Sequence, residues 1–354
     1  MMKILIVPDS FKGTLTSKEV CGCIEKGIKS VSPNAEIVSI PFADGGEGFA
    51  ECLSDICNGE VLYTPCSDIY GRHMKGKIFT YGNTAIIETA CASGLQKKKD
   101  VMNATSYGTG ELIKSAVQKG FSNIILGLGG SGCCDGGAGA LTALGAVFRD
   151  IDGDEIDFPC GKDLEKIYGA GFTKIVKDIH FTYACDVDNV LFGKNGAAYV
   201  FAPQKGASKD DVIKLDNGLK MLNAFLPRDV SKVKGAGAAG GICGGLYSVY
   251  GGEIKSGFDI LCEASLLEDK IKDADIIITG EGKTDKQTLM GKLPYKISEL
   301  CKKYDKKCFV ISGSIEGVKL GDKTVSLVDE STSLSQAMAE PEKILTEKAK
   351  LLLQ

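Results

Sequence analysis

Short apolar runs that stop at glycine or proline turns recur along this chain. Lys3–Val7, Glu36–Ile40, Asn123–Leu126, Phe181–Ala184, Ile276–Thr279, Cys308–Ser312 and Thr324–Val328 each read as a buried strand. Between them lie segments with helical periodicity. Ser17–Ser30 follows a Thr16 or Ser17 N-cap and is broken by Pro33-Asn34; Glu47–Cys57 ends at Asn58-Gly59. Further helices are predicted over Asp259–Lys272, Pro294–Lys303 and Leu334–Gln354. A β-α-β-α start and end imply parallel strands with crossover helices.

The middle differs. Its strands are shorter, with turn signals at Tyr81-Gly82-Asn83 and Asp152-Gly153-Asp154 and a hairpin expected near Ala146–Ile156. Like ends around an unlike middle suggest one α/β domain inserted into another. The expected division is a discontinuous Rossmann-like parallel-sheet domain, 1–66 plus 256–354, and an inserted α/β domain, 67–255, with the active-site cleft between them. A chain of 354 residues fits two domains.

The strand ends carry the chemistry. Asp9, Ser10 and Lys12 follow the first strand; Asp44, Gly45, Gly46 and Glu47 follow the second; Glu281 and Asp285 follow Ile276–Thr279, with Lys292 beyond a further glycine. Asp135 ends the run Gly127–Asp135, which contains Gly129, Gly130 and Ser131; Asp186 and Asn189 follow Phe181–Ala184. Open α/β sheets bind ligands beyond the carboxyl ends of their strands. With only two histidines, His73 and His180, a general base is expected to be a carboxylate. Each carboxylate taken singly is also explained by turn or cap chemistry, since Asp suits such positions.

Gly127-x-Gly129-x-x-Gly132 and Gly235-x-Gly237-x-x-Gly240 match dinucleotide spacing. The first lacks a clear acidic residue at the end of a following parallel strand, and the second has no apolar strand before it. Glycine amides that approach phosphate oxygens are the more general reading, with close backbone packing as the plain alternative. A nicotinamide-dependent dehydrogenase of a small hydroxy acid and a two-lobed binding protein are the rival functions.

Composition narrows the field. A net charge of −4 without a basic stripe argues against a nucleic-acid partner. No apolar run approaches a membrane span, so no membrane partner is expected. Fourteen cysteines form no C-x-x-C pair, which argues for reduced thiols in a cytoplasmic protein.

Several blocks together resemble the type I glycerate kinase family: Pro8-Asp9-Ser10-Phe11-Lys12-Gly13, Ala43-Asp44-Gly45-Gly46-Glu47-Gly48, Thr105–Gly110, Gly129-Gly130-Ser131 with Asp135-Gly136-Gly137, Pro203-Gln204-Lys205-Gly206-Ala207, and Thr279–Asp285 with Gln287-Thr288 and Gly291-Lys292. They keep the family's order over nearly the whole chain. The resemblance implies ATP-dependent phosphorylation of D-glycerate, 2-phosphoglycerate being favoured over 3-phosphoglycerate, with Mg²⁺ as cofactor. Asp9, Lys12, Asp44, Glu47 and Asp186 are the expected catalytic residues. Ser10, Gly45, Gly46, Gly129, Gly130, Ser131, Asp135, Asn189, Gly237, Gly240, Glu281, Asp285 and Lys292 are expected to bind substrate or phosphate. Asp44 and Asp186 are the candidates both for the metal and for the group facing the accepting hydroxyl, and their roles stay open. A homo-oligomer is allowed. The chain departs from the family pattern at Gly132-Cys133-Cys134 and at Val190.

Overall fold

Thr16 opens the first helix, Ser17–Val31, with a capping box: its hydroxyl accepts from the Glu19 amide while the Glu19 carboxylate accepts from the Thr16 amide. Val20, Ile24 and Ile28 recur at four-residue spacing and are fully buried. These local choices hold in the computed structural model of the chain, which describes every residue except Asp44, Gly45 and Glu47.

Among the described residues there are thirteen strands: β1 (Lys3–Ile6), β2 (Glu36–Ser39), β3 (Glu60–Ser67), β4 (His73–Tyr81), β5 (Thr84–Glu88), β6 (Asn123–Gly127), β7 (Val147–Arg149), β8 (Gly169–Gly171), β9 (His180–Ala184), β10 (Glu253–Lys255), β11 (Ile276–Thr284), β12 (Lys307–Ile315) and β13 (Lys323–Ser326). The chain divides into two compact units, 1–44 with 51–57 and 258–354, and 45–50 with 58–257.

The first unit holds a five-stranded sheet in the order β13-β12-β11-β1-β2, parallel throughout. Strand order reverses at the β1–β11 pair, which makes the carboxyl ends of those two strands its topological switch point. Its core joins Ile4, Ile6, Ile24, Ile28, Ile278 and Ile311. The predicted helix over 259–272 is two, Gly257–Ser265 and Leu267–Asp273, because Leu266 turns left-handed at φ 52°. The last helix is likewise divided, and Pro341 starts its second part.

The second unit holds a six-stranded sheet, β10-β9-β6-β5-β4-β3. Strands β5, β6, β9 and β10 are parallel, and β3-β4-β5 is an antiparallel meander. Here the expected domain boundary needs correction. The segment 58–66, expected in the first domain, belongs to the second sheet: β3 pairs with β4 along its whole length, Glu60 with Thr80 through Ser67 with His73. That ladder ties the segment to the second sheet. The expected hairpin near Ala146–Ile156 turns at Gly153 and closes through an Arg149–Glu155 bridge, while β7 itself pairs with β8.

Candidate active site

In the first unit the switch point gathers two of the predicted loops. The Asp9 amide donates to the Gly280 carbonyl at 2.8 Å, and Val7 donates to Ile278 at the same distance. This lays the Pro8–Gly13 turn along the end of β11. Ser17 Oγ fixes the turn from behind, donating to the Pro8 carbonyl at 2.8 Å. Asp9 is 7% exposed and accepts from the Ser10 amide at 2.7 Å. Lys12 is exposed.

Glu281 lies on β11 between two glycines and is 6% exposed. Its Oε1 accepts from the hydroxyls of Thr284 (3.1 Å) and Thr288 (2.5 Å), and its Oε2 faces Lys292 Nζ at 3.5 Å. Thr284 is in turn 2.7 Å from Ser312 Oγ on β12. A nearly buried carboxylate is thus held by hydroxyls and one lysine, as burial of a charge demands. Asp285 caps the next turn, accepting from the Gln287 amide at 2.8 Å. Of the second predicted loop, Gly46 accepts from the Phe49 amide at the start of the helix Phe49–Ile56. The expectations for Asp44, Gly45 and Glu47 lie outside the described residues.

In the second unit the loop after β6 has two faces. Its outer part runs through exposed Gly129 and Gly130 to Ser131. The carbonyl of Gly129 accepts from Thr89 Oγ1 and that of Gly130 from the Leu95 amide. The amides of Gly129, Gly130 and Ser131 have no protein acceptor among the described residues. Gly130 takes φ +70°, the left-handed conformation that one residue of an anion-binding nest adopts.

The inner part is different. Asp135 is fully buried. Its carboxylate accepts from the amide and hydroxyl of Ser106, each at 2.7 Å, and from the amides of Gly137 (3.1 Å) and Gly139 (3.3 Å). These donors lie at the starts of the helices Tyr107–Gln118 and Ala138–Ala143, where helix dipoles favour an anion. Burial raises the Asp135 carboxyl above its ordinary value near 3.8, and the hydrogen bonds from Ser106, Gly137 and Gly139 offset only part of that. The expectation that Asp135 binds substrate or phosphate is therefore corrected. It has no surface to offer a ligand and is spent on joining two helix starts to the loop.

The second glycine spacing is corrected for a similar reason. Gly237 donates its amide to the Asn189 carbonyl at 2.9 Å. Gly240 is buried at φ +69°, and a Cβ there would lie 2.1 Å from the Cys133 carbonyl. Both glycines serve close backbone packing: Gly237 lets the 235–241 tract close on Asn189-Val190, and Gly240 lets it close on the back of the Cys133–Gly137 loop. With Asp135 and this tract assigned to packing, the dinucleotide reading loses its support. The other sequence-predicted residues of this unit stand at the end of β9. Asp186 is exposed and accepts from the Gly257 amide at 3.3 Å. Asn189 Nδ2 donates to the Asn195 carbonyl at 2.9 Å.

Two residues that stand in the blocks carrying the resemblance receive no role from the sequence. Ser106 supplies half of the Asp135 clasp. Lys205 is only 3% exposed, and its Nζ donates to Ser131 Oγ (3.0 Å) and the Cys133 carbonyl (2.8 Å). The available signal was a lone lysine closing the otherwise uncharged stretch 195–204. The departure at Cys133-Cys134 falls on the buried side of the loop. Burial pushes the Cys134 thiol up to about 12, so these thiols stay protonated, and it is the Cys133 backbone that meets Lys205. Among the described residues no cluster of three or more His, Cys, Asp or Glu is arranged for a metal. No described helix is long and apolar enough to cross a membrane.

Known proteins are similar to this chain along most of its length. The model of the glycerate kinase family matches residues 4–354. Glycerate 2-kinase of Escherichia coli K12 is 43% identical over 89% of this chain and 86% of its own length. Glycerate kinase of Bacillus cereus is 41% identical over 89% of this chain and 86% of its own. A crystal structure assigned to glycerate kinase 2 of Salmonella typhimurium LT2 superposes with a TM-score of 0.88 at 36% identity, covering 99% of this chain and 96% of that one. The chain belongs to the glycerate kinase family and is a phosphotransferase of that family.

Proposed function

We propose that the chain transfers the γ-phosphoryl group of ATP to the 2-hydroxyl of D-glycerate, giving 2-phosphoglycerate and ADP. The observation that carries the reading is the Gly129–Ser131 loop, whose three successive amides lack a protein acceptor among the described residues. Such amides bind the oxygens of a phosphate or carboxylate. The name of the 43% identical relative, glycerate 2-kinase, supports the 2-position.

In the reaction a bond forms between the glycerate oxygen and the γ-phosphorus, and the bond from that phosphorus to the bridging oxygen of ADP breaks. The hydroxyl proton passes to a carboxylate, for which Asp44 and Asp186 are the candidates. Phosphoryl transfer depends chiefly on positioning and on offsetting charge. Lys12 and Lys292 supply positive charge, Asp9 and Glu281 order the switch-point loops, and Ser10 and Asp285 hold their turns. Glu47, Gly45, Gly46 and Asn189 complete the proposed set. Mg²⁺, when bound, would be held by Asp186 or Asp44 and would offset the negative charge of the phosphates. It commonly needs only one or two carboxylates besides phosphate and water, a demand that exposed Asp186 fits without a larger acidic cluster. Fourteen free thiols support a cytoplasmic setting.

The test is ADP release with D-glycerate, with the product resolved by phosphorus NMR. The expected product is 2-phosphoglycerate; 3-phosphoglycerate would overturn the regiochemistry, and no ADP release above background would overturn the whole reading.

A further inference from the structure

Lys205 is a buried ammonium without a carboxylate within ion-pair distance among the described residues. Both of its acceptors are neutral oxygens. Buried charges are normally paired, because leaving water costs several kcal/mol. The bond to Ser131 has only one possible direction. An ammonium has donors and no acceptor, so Ser131 Oγ must accept. The single hydroxyl hydrogen of Ser131 then points elsewhere, and it has no protein acceptor among the described residues. Ser131 also carries one of the three amides that have no acceptor among the described residues. Four donors therefore stand within three successive residues, with a fixed positive charge behind them.

We infer that Lys205 is a positioning residue that acts through Ser131: it holds the hydroxyl as a donor and lends its charge to the binding of an oxyanion at the Gly129–Ser131 loop. The oxyanion is either the carboxylate of glycerate or a phosphate of the nucleotide. This rests on the proposed reading of that loop as an anion site.

The experiment is a double-mutant cycle of Ser131→Ala and Lys205→Met, with KM and kcat measured for D-glycerate and ATP and thermal unfolding followed in parallel. Each single variant is expected to raise one KM by about 10- to 100-fold, as for a hydrogen bond to a charged group. A rise confined to D-glycerate identifies its carboxylate, and one confined to ATP identifies a phosphate. The double variant should be little worse than the poorer single variant, because Lys205 acts through Ser131. Additive effects, or an unchanged KM in Lys205→Met beside a raised one in Ser131→Ala, would overturn the role of Lys205 alone. Unchanged KM values in Ser131→Ala would overturn the loop reading and this inference with it. If Lys205→Met does not fold, Lys205→Gln replaces it in the cycle: it keeps a donor for Ser131 but no charge, and an unchanged KM there counts equally against the role.

Discussion

Glu281 and Asp135 look alike in the sequence, each a carboxylate beside glycines after a parallel strand, yet they are built in differently. Glu281 is held by side chains: two threonine hydroxyls and the Lys292 ammonium. Asp135 is held mainly by backbone amides, with Ser106 Oγ alone from a side chain. Side-chain partners can turn toward an arriving ligand. Backbone partners at two helix starts cannot do so without undoing the loop. The first arrangement suits work on a ligand and the second suits holding a fold.

The sharpest way to break this contrast is through Asp135. Asp135→Ala leaves four buried donors without an acceptor, so unfolding in urea should show a loss of about 3–5 kcal/mol. The pH dependence has a definite sign. The folded carboxyl titrates above its ordinary value near 3.8, so the folded state holds this proton more tightly than the unfolded one. The stabilising contribution is complete below the unfolded value and is lost as pH rises through the folded value. The advantage of the wild-type protein over Asp135→Asn should therefore shrink as pH rises across that window. A constant difference would contradict the assignment.

Asp9 tests the other side. Asp9→Asn should lower kcat/KM by about 100-fold, or about 3 kcal/mol of transition-state stabilisation, with an unfolding midpoint near that of the wild type. Loss of stability without loss of rate would move Asp9 to the structural class.

Gly240→Ala sharpens the reading of the second glycine tract. Its Cβ would meet the Cys133 carbonyl and its φ is left-handed, so a loss of about 2 kcal/mol in stability is expected. Both KM values should stay within about 3-fold of wild type, the scale below one clean hydrogen bond. The smallest effect belongs to Asp68 in the β3–β4 connection. Burial raises its carboxyl, but the Arg72 side chain and the Arg72 and Tyr70 amides outweigh this and hold it below the usual value. Its contribution is present above the unfolded pKa and lost as pH falls through the folded one. Arg72 is largely exposed, so solvent screening should keep the cost of Asp68→Asn below about 1 kcal/mol, read from urea midpoints above pH 5.

Much of the architecture was legible because period and punctuation agree. The capping box at Thr16, the strands at Lys3 and Glu36 and the Pro294 helix start are local choices that the fold preserves. The assignment of β3 was not legible, since a strand does not announce its partner. The sites divide the same way. Residue type and strand-end position single out Asp9 and Glu281, and the structure sets the turn that carries Asp9 beside β11, which carries Glu281. The same signal misread Asp135, because exposure depends on what packs over the loop. Lys205 stands in one of the blocks that carry the resemblance, yet the sequence assigns it no role, because a lysine is expected at the surface and its burial follows from a contact 74 residues away.

The contrast rests on the proposal that Glu281 orders its switch-point loop for phosphoryl transfer rather than for stability. It is tested most directly by kcat/KM for D-glycerate in Glu281→Gln, which keeps the shape and an acceptor for the threonines but removes the charge facing Lys292. The account predicts a fall of about 10- to 100-fold in protein whose thermal unfolding matches wild type. A wild-type kcat/KM in that variant would contradict it.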